Sequence, residues 1–205
     1  MLSQIIRNSF TNMWPMLVIV AVTLVTIRVA YYTHHSESFK FYKEFWTLLS
    51  VIYIIMLYQL VTKVDLNTIS TSVNLVPFKE ILRYNYHSKM FLYNVVGNIV
   101  LFIPFGFIVA SYVKPKKVWT NLFIAIIIST TIEFVQLKIG RCFDIDDILL
   151  NSLGCVIGFL FFVGWRAIER HLPDFLRSDW IKNLFCIIIS ICVVLYVLEI
   201  LGITI

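Results

Sequence analysis

Residues 118–147 read VWTNLFIAIIISTTIEFVQLKIGRCFDIDD, and this stretch decides the class of the protein. Its first 20 residues are mostly apolar, and about 20 such residues make one helical crossing of a bilayer. Glu133 and Gln136 lie three positions apart, so they share a helical face. A charged side chain at this depth is costly unless it is paired, so that face should meet protein or water. The stretch therefore predicts a membrane helix with a polar inner face, followed by a short charged loop.

The rest of the chain is also predominantly apolar. Of its 205 residues, 60% are hydrophobic and only 14% are charged, and the mean hydropathy is +0.86. A soluble domain of this length could not bury so much apolar surface. Because the apolar residues form long blocks separated by short charged stretches, we predict an all-α, polytopic membrane helical bundle of about six transmembrane helices.

Six apolar blocks supply these helices. They cover residues 15–31, 45–61, 91–113, 118–137, 148–163 and 180–201. The fifth block is shorter than a full span, so we expect its start in a thinned or water-filled region. We divide the chain into residues 1–66 with two N-terminal helices, a core of residues 67–163, and residues 164–205 with a basic interfacial segment and a C-terminal helix.

Two polar segments, residues 65–89 and 138–147, interrupt the apolar blocks. The first is too hydrophilic for hydrocarbon and rich in turn-forming residues, which predicts an extramembrane or re-entrant loop. Lys and Arg concentrate in residues 114–117 and 166–182, which places those loops on the cytoplasmic side by a narrow margin. Both polar segments are then predicted on the outer side of the membrane.

Several function classes have little support in the sequence. The net charge of +5 is small, and the basic residues separate apolar blocks instead of forming a stripe with aromatics, so we expect no nucleic acid. The four Cys and four His show no metal-ligand spacing, and no nucleotide-binding or hydrolase motif occurs, so we expect no metal and no cofactor. Arg7 precedes an apolar block without a small-residue cleavage site, which predicts a retained helix.

The polar residues of the third, fourth and fifth blocks fall on single helical faces. Asn94 and Asn98 are four positions apart, and so are Asp147 and Asn151. Mutual burial of these faces with that of Glu133 costs less than exposing them to lipid, so we expect them to meet in one place.

The charge of this cluster is expected to be nearly balanced. Arg141 is the natural counter-charge for Glu133 or for the neighbouring aspartates, because a guanidinium can hold a carboxylate through two parallel hydrogen bonds. A plainer interpretation is that the amides, together with a contact at Gly154 and Gly158, simply hold the helices together. For Glu133, Arg141 and Asp147 we favour a functional role, because ionisable groups within the membrane usually mark a site.

Four motifs resemble the VanZ family of bacterial membrane proteins in order and spacing. They are NLVPF at residues 74–78, NVVGNIVLFIPFGF at 94–107, STTIEFVQ at 129–136 and GRCFDIDDILLNSLGCVIG at 140–158. The blocks before and after residues 74–162 are not part of this resemblance. Relative to the four-helix form associated with the family, the chain has an additional helix at each end.

The resemblance implies a role in resistance to glycopeptide antibiotics, teicoplanin in particular, in the bacterial cell membrane. Motif positions and converging faces together define the predicted ligand-binding residues. These are Asn74, Asn94, Asn98, Glu133, Gln136, Arg141, Asp144, Asp147 and Asn151. The expected partners are membrane lipids and, as ligand, a lipoglycopeptide or a lipid-linked cell-wall precursor.

Three functions compete. The first is a non-catalytic envelope protein whose outward polar cleft binds such an amphiphile. The second is an intramembrane enzyme acting on a polyprenyl phosphate or lipid headgroup, with Glu133 or Asp147 as acid or base and Arg141 gripping phosphate. The third is a small transporter or a scaffold for envelope enzymes, although six spans without a detectable inverted repeat speak against transport.

Overall fold

The structure is a computed structural model that describes residues 2–35, 38–62 and 72–200, and most of these residues are helical. The long helices are α1 (Leu2–His34), α2 (Phe41–Thr62), α5 (Gly97–Val113), α6 (Val118–Lys138), α7 (Ile145–His171) and α9 (Asp179–Ile200). Five stretches of the described chain are long and apolar enough to cross a membrane: Pro15–His34, Phe41–Thr62, Lys89–Val113, Val118–Lys138 and Ile145–His171. The predicted all-α membrane bundle is therefore confirmed. The sixth block forms α9, and its crossing of the membrane stays a prediction.

Short elements connect the long helices. They are β1 (Val73–Asn74), α3 (Lys79–Arg83), α4 (Lys89–Phe91), a π-helical turn (Leu92–Val96), β2 (Phe143–Asp144) and α8 (Asp174–Arg177). The two strands pair in parallel, with Asn74 opposite Asp144. The start of the predicted outer loop, residues 65–71, and the predicted domain boundary at residue 66 lie outside the described residues.

The fifth block differs from its prediction. Helix α7 has 27 residues instead of the short span expected over residues 148–163, so no thinned membrane is needed at its start. It begins earlier because Asp146 and Asp147 lie in its first turn, where carboxylates interact favourably with the helix dipole. It ends later because the polar residues after Gly164 continue the helix although they lower the hydropathy.

The chain divides into two compact units, and the first comprises residues 1–55 with 172–205. Within it, Arg28 joins α1 to α2 through two bonds of 2.6 Å to the carboxylate of Glu44. Tyr32 donates a third bond to the same carboxylate. The guanidinium of Arg28 is thus held by the carboxylate of Glu44. Asn183 of α9 accepts a hydrogen bond from the backbone N–H of Tyr42.

The second unit, residues 56–171, has its core between α5 and α7. Glycines let the two backbones touch: a Cβ atom added at Gly154 would lie 2.2 Å from the carbonyl oxygen of Ile99, and one added at Gly158 would lie 2.1 Å from that of Ile103. Small residues at such crossings are typical of membrane helix pairs. This packing fixes the ends of α5 and α7 beside each other.

Helix α6 is attached to this pair by a buried amide. Asn121 is fully buried, and its Nδ2 donates to the carbonyl oxygens of Gly106 at 3.3 Å and Cys155 at 3.2 Å. A polar side chain is stable here because it finds acceptors on both neighbouring helices. The three helices thus form one bundle, and the polar residues of its other end are held in place.

Candidate functional site

A cavity of about 180 Å³ lies at the end of the bundle where α5 begins, α6 ends and α7 begins. Eight of the nine predicted binding residues line it: Asn94, Asn98, Glu133, Gln136, Arg141, Asp144, Asp147 and Asn151. The ninth, Asn74, lies just outside the lining and donates a 3.0 Å hydrogen bond to Asp144. The structure thus brings together the faces that helical spacing placed side by side.

Glu133 anchors the loop that follows its own helix. Its side chain is 1% exposed, and its Oε2 accepts a 2.9 Å hydrogen bond from the backbone N–H of Asp144. Asp144 in turn accepts bonds from Asn74 and from the backbone N–H of Asp146. Burial raises the pKa of Asp144 above its ordinary value, because a low-dielectric site disfavours the charged form.

Helix α7 contributes Asp147 and Asn151 to the cavity. Asp147 accepts a 2.6 Å hydrogen bond from Asn98 of α5. Asn151 donates a 2.8 Å hydrogen bond to Ser129 of α6, while its own Oδ1 is buried and has no hydrogen-bond partner. A buried acceptor without a partner is costly in a protein interior.

Arg141 does not play the part expected from the sequence. Among the described residues, no ion pair within 4.0 Å joins it to a carboxylate. Its Nη1 donates instead to the carbonyl oxygen of Val61 at 2.9 Å, and Gln136 donates to the same oxygen at 3.0 Å. Carbonyls in the last turn of a helix lack partners within the helix, and a cation there also complements the dipole. Both residues therefore cap the C-terminal end of α2.

The polar loop after residue 72 closes one side of the cavity, and Asp146 holds that loop. Asp146 is 1% exposed. Its carboxylate accepts backbone N–H groups from Phe78 at 2.5 Å, Glu80 at 2.8 Å and Ile81 at 3.2 Å. These donors belong to the start of α3, where N–H groups lack helical partners. The carboxylate thus caps a helix about 65 residues away in the sequence.

Among the polar lining residues, the predicted binding set lacked three: Glu80, Tyr84 and Asp146. The Asp-Ile-Asp-Asp run is assigned to the charged loop of residues 138–147, and no local feature of the sequence indicates which groups its carboxylates bind. With these additions, five carboxylates and one guanidinium, that of Arg141, line the cavity. The expected hydrogen-bonded pair of Arg141 with a carboxylate is not found, because Arg141 is bonded at the end of α2. That the cluster is nearly neutral stays a prediction.

Metal binding is not supported by the arrangement of these acids. Across residues 2–35, 38–62 and 72–200, no group of three or more His, Cys, Asp or Glu side chains is placed to hold a metal ion. The carboxylates instead accept hydrogen bonds from amides and backbone N–H groups. The site therefore has the chemistry of an acceptor-rich polar cavity.

Comparison with known proteins agrees with the motifs. The sequence model of the VanZ/LLP1 family matches residues 45–167, which is more than half of the chain. This match begins at Phe45 and so includes most of α2, which the motif resemblance over residues 74–162 leaves out. No curated protein and no solved structure matches the chain. The chain belongs to the VanZ/LLP1 family of membrane proteins.

Proposed function

We propose that this protein lowers the susceptibility of a bacterial cell to glycopeptide antibiotics, teicoplanin in particular, by binding an amphiphile in the cavity. The amphiphile is either the acylated antibiotic or a lipid-linked cell-wall precursor. Support comes from the family match over residues 45–167 and from one structural observation. A polar cavity opens at the end of a bundle that consists of apolar membrane-spanning helices.

This arrangement suits an amphiphile for a simple physical reason. The cavity is lined by carboxylates and amides, while the outer surfaces of the same helices carry exposed apolar side chains such as Phe134 and Leu153. A polar head in the cavity makes hydrogen bonds that lipid cannot offer. An attached acyl or polyprenyl chain stays in the hydrocarbon beside the helices. Neither a fully polar nor a fully apolar ligand uses both surfaces.

The primary experiment is teicoplanin susceptibility of a sensitive Gram-positive host that expresses the wild type, Glu133→Ala or Glu133→Gln. We expect the wild type to raise the inhibitory concentration of teicoplanin more than that of vancomycin, and both variants to lose the effect. The matched control is Asp174→Asn, because Asp174 is an exposed carboxylate of α8 and is not among the residues that line the cavity. If the wild-type protein is well expressed and the inhibitory concentration of teicoplanin does not change, the proposal is overturned.

The proposal also requires the loops at the cavity to lie on the outer side of the membrane. Tyr86 is 67% exposed and lies in the loop between α3 and α4. Tyr86→Cys should react with a membrane-impermeant maleimide in intact cells. Lys116→Cys, in the loop between α5 and α6, should react only after permeabilisation. The reverse pattern would place the cavity on the cytoplasmic side and rule out direct capture of an external antibiotic.

A second candidate is an intramembrane enzyme acting on a lipid headgroup, because Glu133, Asp147 and Arg141 line one cavity. This function would need Arg141 to grip a phosphate while its Nη1 is bonded to the carbonyl of Val61. Turnover of a polyprenyl phosphate or phospholipid in liposomes, lost in Glu133→Gln and in Asp147→Asn, would favour the enzyme over the binding protein.

A further inference from the structure

Residues 75–82, which we call the apolar segment, expose large apolar side chains although they belong to a polar loop. Four side chains of the segment are between 56% and 71% exposed: Leu75, Val76, Phe78 and Leu82. Side chains on the outer surface of α7 are exposed to a similar degree, for example Leu160 at 57% and Phe161 at 59%. A concentrated apolar patch of this kind usually marks an interaction surface.

The exposed side chains do not face the cavity. Glu80 and Ile81 of the apolar segment line the cavity, whereas none of the four exposed apolar residues is part of the lining. The segment therefore has two sides, one toward the cavity and one toward the surroundings of the bundle. The partner of the outer side must itself be apolar.

The apolar segment is attached at the level where helices enter the membrane. Asp146, which binds the segment, lies in the first turn of α7, and the span of α7 begins at Ile145. Just before the segment, Asn74 pairs with Asp144. Shortly after it, the next span begins at Lys89. The segment is thus held close to the membrane surface on both sides.

The backbone N–H groups of residues 76–82 are all satisfied without water. Asp146 accepts three of them, from Phe78, Glu80 and Ile81. The others donate to Oδ1 of Asn74 (from Val76, 3.3 Å), to the carbonyl of Val76 (from Lys79, 3.4 Å) and to the carbonyl of Phe78 (from Leu82, 3.0 Å), while Pro77 has no N–H group. A loop in water does not need this, because water accepts any free N–H group. A segment in contact with lipid does need it, because lipid offers no acceptor.

Basic side chains flank the apolar ones. Lys79 and Lys89 are exposed, and neither forms an ion pair within 4.0 Å in the part of the chain that the structure describes. A lysine side chain is long enough to reach lipid phosphates while its apolar neighbours enter the hydrocarbon. This combination favours a phospholipid surface over an apolar protein surface as the partner.

We propose that the apolar segment is inserted into the phospholipid surface at the end of the bundle. Its four exposed apolar side chains enter the boundary between headgroups and acyl chains to a depth of about 5 to 10 Å. Asp146 permits this contact by satisfying the N–H groups that lipid would leave without acceptors. One side of the cavity then adjoins lipid. The inference depends neither on the ligand of the cavity nor on the resistance function.

The test measures the depth of the segment in a bilayer. p-Acetylphenylalanine is incorporated at one position of the full-length protein and coupled to a hydroxylamine nitroxide, and the protein is placed in nanodiscs of phosphatidylcholine and phosphatidylglycerol. Collisions of the label with oxygen, which concentrates in hydrocarbon, are compared with collisions with a nickel chelate, which stays in water. Labels at Leu160, on the outer surface of α7, and at Lys116, exposed between α5 and α6, give the lipid and water references.

Labels at Phe78 and at Leu82 should each give an oxygen-to-nickel collision ratio several-fold above that at Lys116 and approaching that at Leu160. A ratio equal to that at Lys116 would place the segment in water. Few collisions with either reagent would mean that protein, such as a second copy of the chain, covers the segment. Either of these results would overturn the proposal.

Variants test the part assigned to Asp146. In Asp146→Asn, the collision ratio of a label at Leu82 should fall toward that at Lys116, because the released N–H groups need water. Asp174→Asn, which changes an exposed carboxylate of α8, should leave the ratio unchanged. If Asp146→Asn does not fold by circular dichroism, Leu82→Gln with the label at Phe78 replaces it and should lower the ratio in the same way. An unchanged ratio in the folded variant would contradict the proposal.

Discussion

Asn98 Nδ2 donates a 2.6 Å hydrogen bond to Oδ1 of Asp147, and this bond joins the beginnings of α5 and α7 at the cavity. It is a contact between an amide and a carboxylate in the region where the two helices cross at their glycines. Bonds to charged groups are stronger than bonds between neutral groups. The pair therefore both stabilises the helix crossing and fixes the position of the Asp147 carboxylate.

Asn98→Ala should lower the free energy of unfolding by about 0.6 to 2 kcal/mol, the range for hydrogen bonds between membrane helices. It should also weaken ligand binding, because Asp147 is no longer held. Denaturation of the purified protein in mixed micelles measures the first effect. The matched control is Asn85→Ala, whose side chain is exposed and accepts a local hydrogen bond from the backbone N–H of His87; it should change stability by about 0.5 kcal/mol or less. Equal effects of the two variants would contradict this role of Asn98.

Asp146→Asn should loosen the loop over the cavity. The amide keeps one acceptor oxygen and loses the charge, so it cannot hold the N–H groups of Phe78, Glu80 and Ile81 together. We expect a loss of about 1 to 3 kcal/mol and faster hydrogen exchange at those three amides. Exchange rates in α9 should stay unchanged. Wild-type protection at residues 78–81 in the variant would show that other contacts hold the loop.

The helices and most of the polar residues that line the cavity could be predicted from the sequence. Apolar blocks of sufficient length gave the spans, and three- or four-residue spacing placed Asn98, Glu133 and Asn151 on faces that had to meet protein. These signals are local, because hydropathy and helical periodicity depend only on neighbouring residues. The C-terminal part of α7 was missed for the same reason, since its hydropathy falls after Gly164 while the helix continues.

The partners of the charged residues could not be predicted. Arg141 binds a backbone carbonyl 80 residues earlier in the chain, and Asp146 binds backbone N–H groups of another loop. Backbone N–H and C=O groups are present at nearly every residue, so the sequence does not indicate which of them will bind a given charged side chain. Reasoning from side chains alone favoured a pair of opposite charges, so the backbone partner of Arg141 was missed.

The buried carboxyl of Asp144 should make stability depend on pH. Its pKa is raised in the folded state by burial, so the folded protein binds a proton more tightly than the unfolded chain, whose pKa is about 3.9. The stabilisation from this group is complete below that pH and is lost as the pH rises through the folded pKa. The unfolding free energy of the wild type should therefore decline as the pH rises above about 4. Asp144→Asn should make this decline smaller. Identical pH profiles of wild type and variant in mixed micelles would contradict this assignment.

The contact between α5 and α7 should tolerate no side chain at Gly154. A Cβ atom there would lie 2.2 Å from the carbonyl oxygen of Ile99, so Gly154→Ala forces the helices apart and should cost about 1 to 3 kcal/mol. Gly164 belongs to the same helix, but a Cβ atom there has nothing within 4 Å. Gly164→Ala should thus be neutral or stabilising by up to about 1 kcal/mol, because Ala is the better helix former. Denaturation in mixed micelles compares the stability of the two variants.

Because the same crossing positions Asp147 against Asn98, Gly154→Ala should also weaken ligand binding at the cavity, while Gly164→Ala should leave ligand binding intact. A stable, fully binding Gly154→Ala protein would mean that the close approach of these backbones is not required.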